Sequence, residues 1–187
     1  MSSKTIQPDH PDAITLSALG EIAFLAGRSP VHSRAPTDTL RHWWETPIAL
    51  NQYWCFRADG VPRLALSWAS LSPEAERRYV VDRKPLRIQD WWSGPQKWVI
   101  DWIAPFAIPR LNMEVRRWLV TTGFRDSGSV RFLRVGQGRS IRSITELNRA
   151  ENGTVHRDFL DITAFQTGGV ATSRTGDTGE DHRWEFG

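Results

Sequence analysis

The chain of 187 residues has little of three things: cysteine, long apolar runs and lysine. Its single cysteine, Cys55, cannot form an internal disulfide, which excludes a disulfide-stapled secreted scaffold. A lone cysteine also provides no cluster on which a cysteine-based metal site could be built. No run of about eighteen apolar residues occurs, and the N-terminal segment, MSSKTIQPDHPD, lacks the basic and apolar regions of a signal peptide. We therefore expect a soluble, cytoplasmic protein without stable membrane insertion and without a bound metal.

Positive charge is concentrated in one part of the chain. The formal net charge is only +3, yet residues 110–149 contain nine arginines against three acidic residues, a local charge of +6. Such a segment suggests an anionic partner, which could be a nucleic acid, a phosphate-bearing cofactor or an acidic protein. A solvated face in an arginine-rich protein explains the same pattern equally well, so charge alone leaves the partner open.

Local signals predict helices and strands that follow one another in no repeated unit. Helices are expected from Asp12 to Gly27, from Thr37 to just before Pro47, from Ser72 to about Val81, and from Pro109 to Gly123. A β-hairpin is expected around residues 58–60, a strand ending at Pro105, and two further strands at residues 129–135 and 139–147. These elements predict a single α/β or α+β domain at residues 12–165, with a central, largely antiparallel sheet flanked by helices. Residues 1–11 are expected to be a flexible lead-in, and residues 166–187 a mobile C-terminal tail.

The most apolar stretch, KWVIDWIAPF at residues 97–106, carries a carboxylate in its middle. In a regular strand Asp101 shares one face with Val99 and Ile103, while the even-numbered residues share the other. Because both faces are apolar, this strand is predicted to be central and covered on both sides. An ionised carboxylate in such a place costs several kcal/mol unless it is paired and hydrogen-bonded, so Asp101 needs a specific partner.

Two kinds of partner are open for Asp101. An arginine or backbone N–H groups would make it a structural carboxylate, whereas a histidine would make it the orienting group of a catalytic base. Of the five histidines, only His32 lies in a loop constrained by prolines on both sides, where functional side chains are often presented. The other four lie in the predicted termini, in a predicted helix or in a weakly patterned stretch. The residue pattern leaves both kinds of partner open.

Five short motifs occur in order along about residues 12–135: RSPVH, NQY, LSWASLS, WSGPQKW and IDWIAPF. In sequence and spacing they resemble the toxin-activating lysine acyltransferases, the haemolysin-activating proteins that acylate repeats-in-toxin protoxins. The resemblance implies a GNAT-like acyltransferase fold. It also implies that a fatty-acyl group, carried on the 4'-phosphopantetheine of acyl carrier protein, is transferred to the ε-amines of internal lysines of a protoxin. A homodimer is a further expectation from the family, and no bound cofactor is expected.

The resemblance also implies which residues act. His32 in S-P-x-H and Asp101 in I-D-W-I-A-P-F match the family's catalytic pair, and Ser29 matches a supporting serine. A lysine amine has a pKa of about 10.4, so a base must remove its proton before it can attack a thioester. We expect His32 to take that proton and Asp101 to hold the imidazole tautomer, with acyl transfer to His32 itself as a second route. Trp43-Trp44 has no counterpart in the family pattern.

The basic segment has an expected use in the same reaction. Arg131 and Arg134 lie in VRFLRV, which is similar to the family's basic strand, and Arg110 lies at the start of a predicted helix, where an anion is favoured. We expect these three arginines to bind the acidic carrier or its phosphate. An acyl-coenzyme A enzyme of this fold usually has a glycine-rich segment between strand and helix, and residues 104–113 contain no glycine. This favours a carrier protein as the donor.

Two other classes of function remain. Basic residues among aromatic ones also suit a nucleic-acid-binding module, which would not explain Asp101. A non-catalytic protein that binds the acyl carrier or the protoxin is the third possibility. Cys55, the other conceivable nucleophile, is interpreted as an ordinary core residue. The sequence leaves open the acyl-chain length, the target lysines, the choice between direct transfer and an acyl-enzyme, and the role of residues 166–187.

Overall fold

The computed structural model describes residues 12–135 and 141–166. The predicted lead-in at residues 1–11 and the predicted tail beyond Gln166 lie outside the described residues. The helices are α1 (Ala13–Ala26), α2 (Thr37–Ala49), α3 (Pro73–Val80), α4 (Pro109–Trp118) and the short α5 (Thr163–Gln166). The strands are β1 (Tyr53–Ala58), β2 (Val61–Leu71), β3 (Gln96–Ile103), β4 (Ser129–Val135), β5 (Ile141–Arg149) and β6 (Val155–Leu160).

The strands form one sheet in chain order, from β1 to β6. All neighbours pair antiparallel except β3 and β4, which are parallel. This is the mixed α/β domain with a mostly antiparallel sheet that the sequence predicted, and it is consistent with a GNAT-like fold. The strand that carries Asp101 is central, as its apolar pattern indicated.

Helix ends follow the capping residues that the sequence offers. The Asp12 carboxylate accepts a hydrogen bond from the Thr15 N–H at 2.6 Å and begins α1, and the Ser72 hydroxyl does the same for the Ala75 N–H at 3.3 Å in α3. Such caps satisfy N–H groups that have no partner inside the helix. The predicted starts of both helices are therefore confirmed.

The predicted end of α2 is wrong. The helix continues through Pro47 to Ala49. Proline removes one helical donor, but Pro47 and Ile48 are buried against the core, and the Pro47 carbonyl accepts a hydrogen bond from the Gln52 N–H at 2.7 Å. Burial and this bond offset the missing helical hydrogen bond. Two smaller differences are a π-type last turn at Leu119–Gly123 and the strand β6 in a stretch with no clear pattern.

Helices cover both faces of the sheet. On one face α4 and the π turn pack on a core that includes Leu64, Leu66 and Val99. On the other face α1 and α2 pack on Ala65 and Ile103, and α3 and α5 pack on a third cluster farther along the same face. The loop before α2 therefore reaches the sheet on the side of Ile103.

β3 contains a bulge at its centre. Ser67 of β2 pairs with Asp101, but the next residue, Trp68, pairs with Val99, so Ile100 is an extra residue in β3. A bulge of this kind reverses the alternation of side chains along a strand. Val99 therefore faces α4 together with Trp102, whereas Asp101 faces α1 and α2. The predicted sharing of one face by Val99 and Asp101 is wrong for this reason.

The parallel pairing between β3 and β4 at the centre of the sheet is short. β3 pairs with β4 only at Trp98 and Val99. The part of β3 that carries Asp101 pairs with β2 alone among the described strands. The sheet is thus open on one side of β3 from the bulge onward.

Candidate active site

The His32 loop connects α1 to α2 through a series of backbone turns. The Ser29 N–H bonds the Ala26 carbonyl at 3.0 Å, the Ser33 N–H bonds the Ser29 carbonyl at 2.9 Å, and the Ala35 N–H bonds the His32 carbonyl at 2.9 Å. Both Ser29 and His32 are buried, with 6% and 8% of their surface exposed. The loop therefore holds its polar side chains against the sheet.

Three predicted site residues meet at this point. His32 Nε2 lies 3.0 Å from Asp101 Oδ1, and His32 Nδ1 lies 2.8 Å from Ser29 Oγ. An ionised carboxylate can only accept, so Nε2 carries a hydrogen and donates a hydrogen bond to Asp101. In the neutral imidazole Nδ1 has no hydrogen and accepts a hydrogen bond from the Ser29 hydroxyl. The basic nitrogen of His32 is therefore Nδ1, on the side away from Asp101.

Asp101 has two further donors. Its Oδ1 also accepts from the Trp102 backbone N–H at 2.8 Å, and its Oδ2 accepts from the Trp44 indole Nε1–H at 3.0 Å. The side chain is 23% exposed, so it is less enclosed than the apolar pattern predicted. Three donors thus share the two oxygens of Asp101, and neither oxygen lacks a hydrogen-bond partner.

Trp44 and Tyr79 are the two neighbours that sequence reasoning missed. The indole of Trp44 is fully buried in α2. Tyr79 in α3 donates its hydroxyl to the Ile100 carbonyl, at the bulge, over 3.4 Å. Burial first, and then the charge of Asp101, raises the pKa of Tyr79 above its ordinary value, so the phenol stays protonated. Neither residue lies in a motif, and no local pattern links either one to Asp101.

Cys55 lies on β1, partly buried against the cluster that α1 and α2 form. Burial, followed by the neighbouring Glu21, raises the pKa of Cys55 to about 12. The thiolate is the nucleophilic form, and a thiol with such a pKa has almost none of it at neutral pH. This agrees with the interpretation of Cys55 as a packing residue.

The three arginines chosen from the sequence have different surroundings. Arg110 is at the start of α4, 87% exposed, and bonds Glu114 at 2.8 Å. Arg131 is only 14% exposed and is ion-paired with Glu76 and with Glu146. Arg134 lies near Arg116. Burial lowers the pKa of Arg116, and the positive charge of Arg134 lowers it further. The internal ion pairs of Arg131 favour a structural role for it over carrier binding.

Within residues 12–135 and 141–166 there is no group of three or more histidine, cysteine or acidic side chains that could hold a metal ion. Over the same residues, none of the helices combines the length and the apolar character needed to span a bilayer.

Comparison with known proteins identifies the family. Residues 12–148 match the family model described as "HlyC: RTX toxin acyltransferase family". The RTX-II toxin-activating lysine-acyltransferase ApxIIC of Actinobacillus pleuropneumoniae is 42% identical over 90 residues, which are 48% of this chain and 56% of that relative. This match thus spans little more than half of ApxIIC.

Other relatives match over a greater length. The protein-lysine myristoyltransferase RtxC of Kingella kingae is 35% identical over 70% of this chain and 75% of its own. The protein-lysine palmitoyltransferase CyaC of Bordetella bronchiseptica is 37% identical over 78% of this chain and 77% of its own. The chain therefore belongs to the RTX toxin acyltransferase family.

Proposed function

We propose that the protein is a lysine acyltransferase that moves a fatty-acyl group from acyl carrier protein to internal lysines of an RTX protoxin. The observation that carries the proposal is the hydrogen-bonded series Ser29–His32–Asp101 in a member of this family. The relatives' names support the reaction class, since they describe lysine acyltransferases, myristoyltransferases and palmitoyltransferases. The 4'-phosphopantetheine arm is part of the donor substrate in this proposal.

The geometry of His32 supports a role as general base through Nδ1. Nε2 is committed to Asp101, so the incoming lysine gives its proton to Nδ1, either directly or through the Ser29 hydroxyl that now donates to it. The amine nitrogen then bonds to the thioester carbon, the carbon–sulfur bond breaks, and the carrier leaves as a thiolate that takes up a proton. Asp101 stabilises the imidazolium while it exists.

The bulge in β3 supports a place for the thioester. A developing oxyanion needs N–H donors that the sheet does not already use, and a bulge interrupts the ladder at such a point. We propose that the acyl donor enters where β3 and β4 stop pairing, next to Ile100. The thioester carbonyl then lies close to His32 and Asp101.

Charge supports docking of an acidic carrier on the basic segment of residues 110–149. Arg110 is the best candidate of the three predicted arginines, because it is exposed at the first turn of α4. Arg110→Gln should lower kcat/KM for the carrier about threefold at low salt and have a smaller effect at high salt, where surface charges are screened. Equal effects at both salt concentrations would argue against docking by charge.

The test of the function is direct. The protein is incubated with acyl-loaded carrier protein and an RTX protoxin, and the masses of the protoxin's lysine peptides are measured. Acylated lysines are expected with wild type and not with His32→Ala, and near-normal acylation by His32→Ala would remove the base from the mechanism. No transfer by wild type, together with a salt-sensitive shift of nucleic acid in a gel, would favour a nucleic-acid-binding module instead.

The same reaction separates the two acyl-transfer routes. When the protoxin is left out and the mixture is quenched rapidly, direct attack leaves the enzyme at its own mass. An enzyme-bound acyl group that forms in wild type and in Cys55→Ala but not in His32→Ala, and that disappears when protoxin is added, would establish transfer through His32.

A further inference from the structure

Trp44 of α2 donates a hydrogen bond to Oδ2 of Asp101, the oxygen that His32 does not contact. Its indole Nε1–H lies 3.0 Å from Asp101 Oδ2. The ring is fully buried and packs in the cluster that includes Ile22, Ile48 and Ile103. Packing on all sides leaves the indole one orientation, so the direction of its N–H is set by the core and not by the carboxylate.

This hydrogen bond restricts the rotation of the Asp101 carboxylate about its terminal torsion, which the other two donors restrict less. The terminal torsion of an aspartate has a broad energy minimum, so its carboxylate plane turns easily. His32 and the Trp102 N–H both bond Oδ1, and two bonds at one oxygen fix its position better than the plane. A third bond at Oδ2 fixes the plane, and with it the direction in which Oδ1 meets His32 Nε2.

The chemical character of the donor also matters. An arginine at this place would neutralise Asp101 and weaken its attraction for a histidine that becomes positively charged. An indole N–H is a neutral donor that accepts nothing. It orients the carboxylate and leaves its charge available to His32.

We propose that Trp44 is a positioning residue for catalysis, which holds the Asp101 carboxylate in the plane that keeps His32 Nδ1 ready to accept a proton. This role rests on the proposed function of the His32–Asp101 pair. Trp44 also lies on the helix that follows the His32 loop, so one carboxylate ties both the loop and α2 to β3.

The test uses Trp44→Phe, which keeps an aromatic ring in the core and removes the N–H. We expect kcat to fall about 10- to 100-fold, with KM for the carrier and the protoxin within about twofold of wild type. Trp43→Phe is the matched control, because Trp43 is the adjacent residue of α2 and is partly exposed at 39%; it should keep wild-type kcat. Wild-type kcat in Trp44→Phe would overturn the proposal.

A double-mutant comparison separates positioning from support of the fold. In an Asp101→Asn background the oriented carboxylate is gone, so adding Trp44→Phe should change the residual rate, measured by long incubation, by less than about twofold. An equal loss in both backgrounds would show a merely structural role and overturn the proposal. If Asp101→Asn alone keeps full activity, the proposed catalytic role of the His32–Asp101 pair is wrong. If Asp101→Asn is inactive and Trp44→Phe keeps wild-type kcat, only the positioning role of Trp44 is wrong.

Two further measurements, one of kcat and one spectroscopic, cover the case in which Trp44→Phe folds poorly. Replacing Trp44 by benzothienylalanine, whose sulfur takes the place of the N–H, keeps the shape of the side chain and should give the same fall in kcat. In the ¹⁵N–¹H spectrum, the indole signal that this replacement removes belongs to Trp44. That signal should move, and its hydrogen should exchange faster, in Asp101→Asn; an unchanged signal would overturn the contact.

Discussion

Asp101→Asn is the sharpest test of the site, because the substitution keeps the shape of the side chain and removes its charge and one acceptor. The carboxylate accepts from three donors: His32 and the Trp102 N–H at Oδ1, and Trp44 at Oδ2. An asparagine has one oxygen and one NH₂ group for the same three places. No orientation of it satisfies all three donors.

Each orientation of the amide has a definite cost. With its oxygen toward His32, the NH₂ group meets the Trp44 N–H, and two donors face each other. With its oxygen toward Trp44, the NH₂ group faces His32 Nε2, and the imidazole must move its proton to Nδ1 to accept. That tautomer can neither accept from Ser29 nor take a proton from a lysine.

The expected loss of rate follows from the wrong tautomer and from the missing counter-charge to the imidazolium. In Ser-His-Asp sites the same change lowers kcat by about 10⁴-fold, and we expect about 10³- to 10⁴-fold here. The loss of one hydrogen bond to a charged group, with a donor left unpaired, should lower the free energy of unfolding by about 1–3 kcal/mol. In a chain of this size that corresponds to a fall of roughly 2–10 °C in Tm.

The assay is acyl transfer to protoxin lysines under single-turnover conditions, followed by mass measurement, with Tm recorded on the same samples. Asp158→Asn is the matched control, since Asp158 is also a strand aspartate with a hydrogen-bond partner, Asn148 at 2.8 Å, but lies on β6. It should keep the wild-type rate. A rate for Asp101→Asn above about one tenth of wild type would refute the orienting role assigned to the carboxylate.

Three further outcomes concern residues outside the pair. Cys55→Ala should keep the transfer rate within about twofold of wild type, because burial raises the pKa of Cys55 to about 12 and leaves it unreactive; a loss of activity in the folded variant would show that the thiol takes part. Glu76→Ala should lower the free energy of unfolding in urea by about 3 kcal/mol, because it leaves the nearly buried Arg131 without one of its two carboxylates; a change below about 0.5 kcal/mol would contradict this role of the ion pairs. Burial alone would raise the pKa of Asp90, but the hydrogen bonds and charge of Arg87 hold that pKa below its ordinary value. The stabilisation from Asp90 is therefore present above about pH 4 and lost as the pH falls further, so Asp90→Asn should flatten the acid limb of a stability–pH curve, and an unchanged limb would contradict it.

Much of the architecture could be read from local chemistry. Caps at Asp12 and Ser72, the hairpin turn and the apolar run around Asp101 all act over a few residues, where a side chain meets its own backbone neighbours. The same run indicated a central strand, because a segment that is apolar on both faces needs cover on both. The demand of Asp101 for a partner also followed from burial alone.

Other features depend on contacts between distant parts of the chain. Pro47 stays inside a helix because its surroundings are buried, and Ile100 is bulged because β2 pairs on both sides of it in two registers. Neither condition is a property of the nearby sequence. The bulge in turn reverses the face that Asp101 takes, which strand alternation could not predict.

The active site likewise has some features that local sequence indicated and others that depend on contacts between distant residues. Residue types and motifs indicated His32 and Asp101 as a pair, and it is the folded chain that brings them to 3.0 Å across 69 positions of sequence. Trp44, 57 positions from Asp101, had no signal at all, because a tryptophan in an amphipathic helix looks the same whether its N–H meets water or a carboxylate. Local sequence patterns indicate which side chains a segment must bury. The hydrogen-bond partner of a buried polar atom depends instead on which residues the rest of the fold places opposite it.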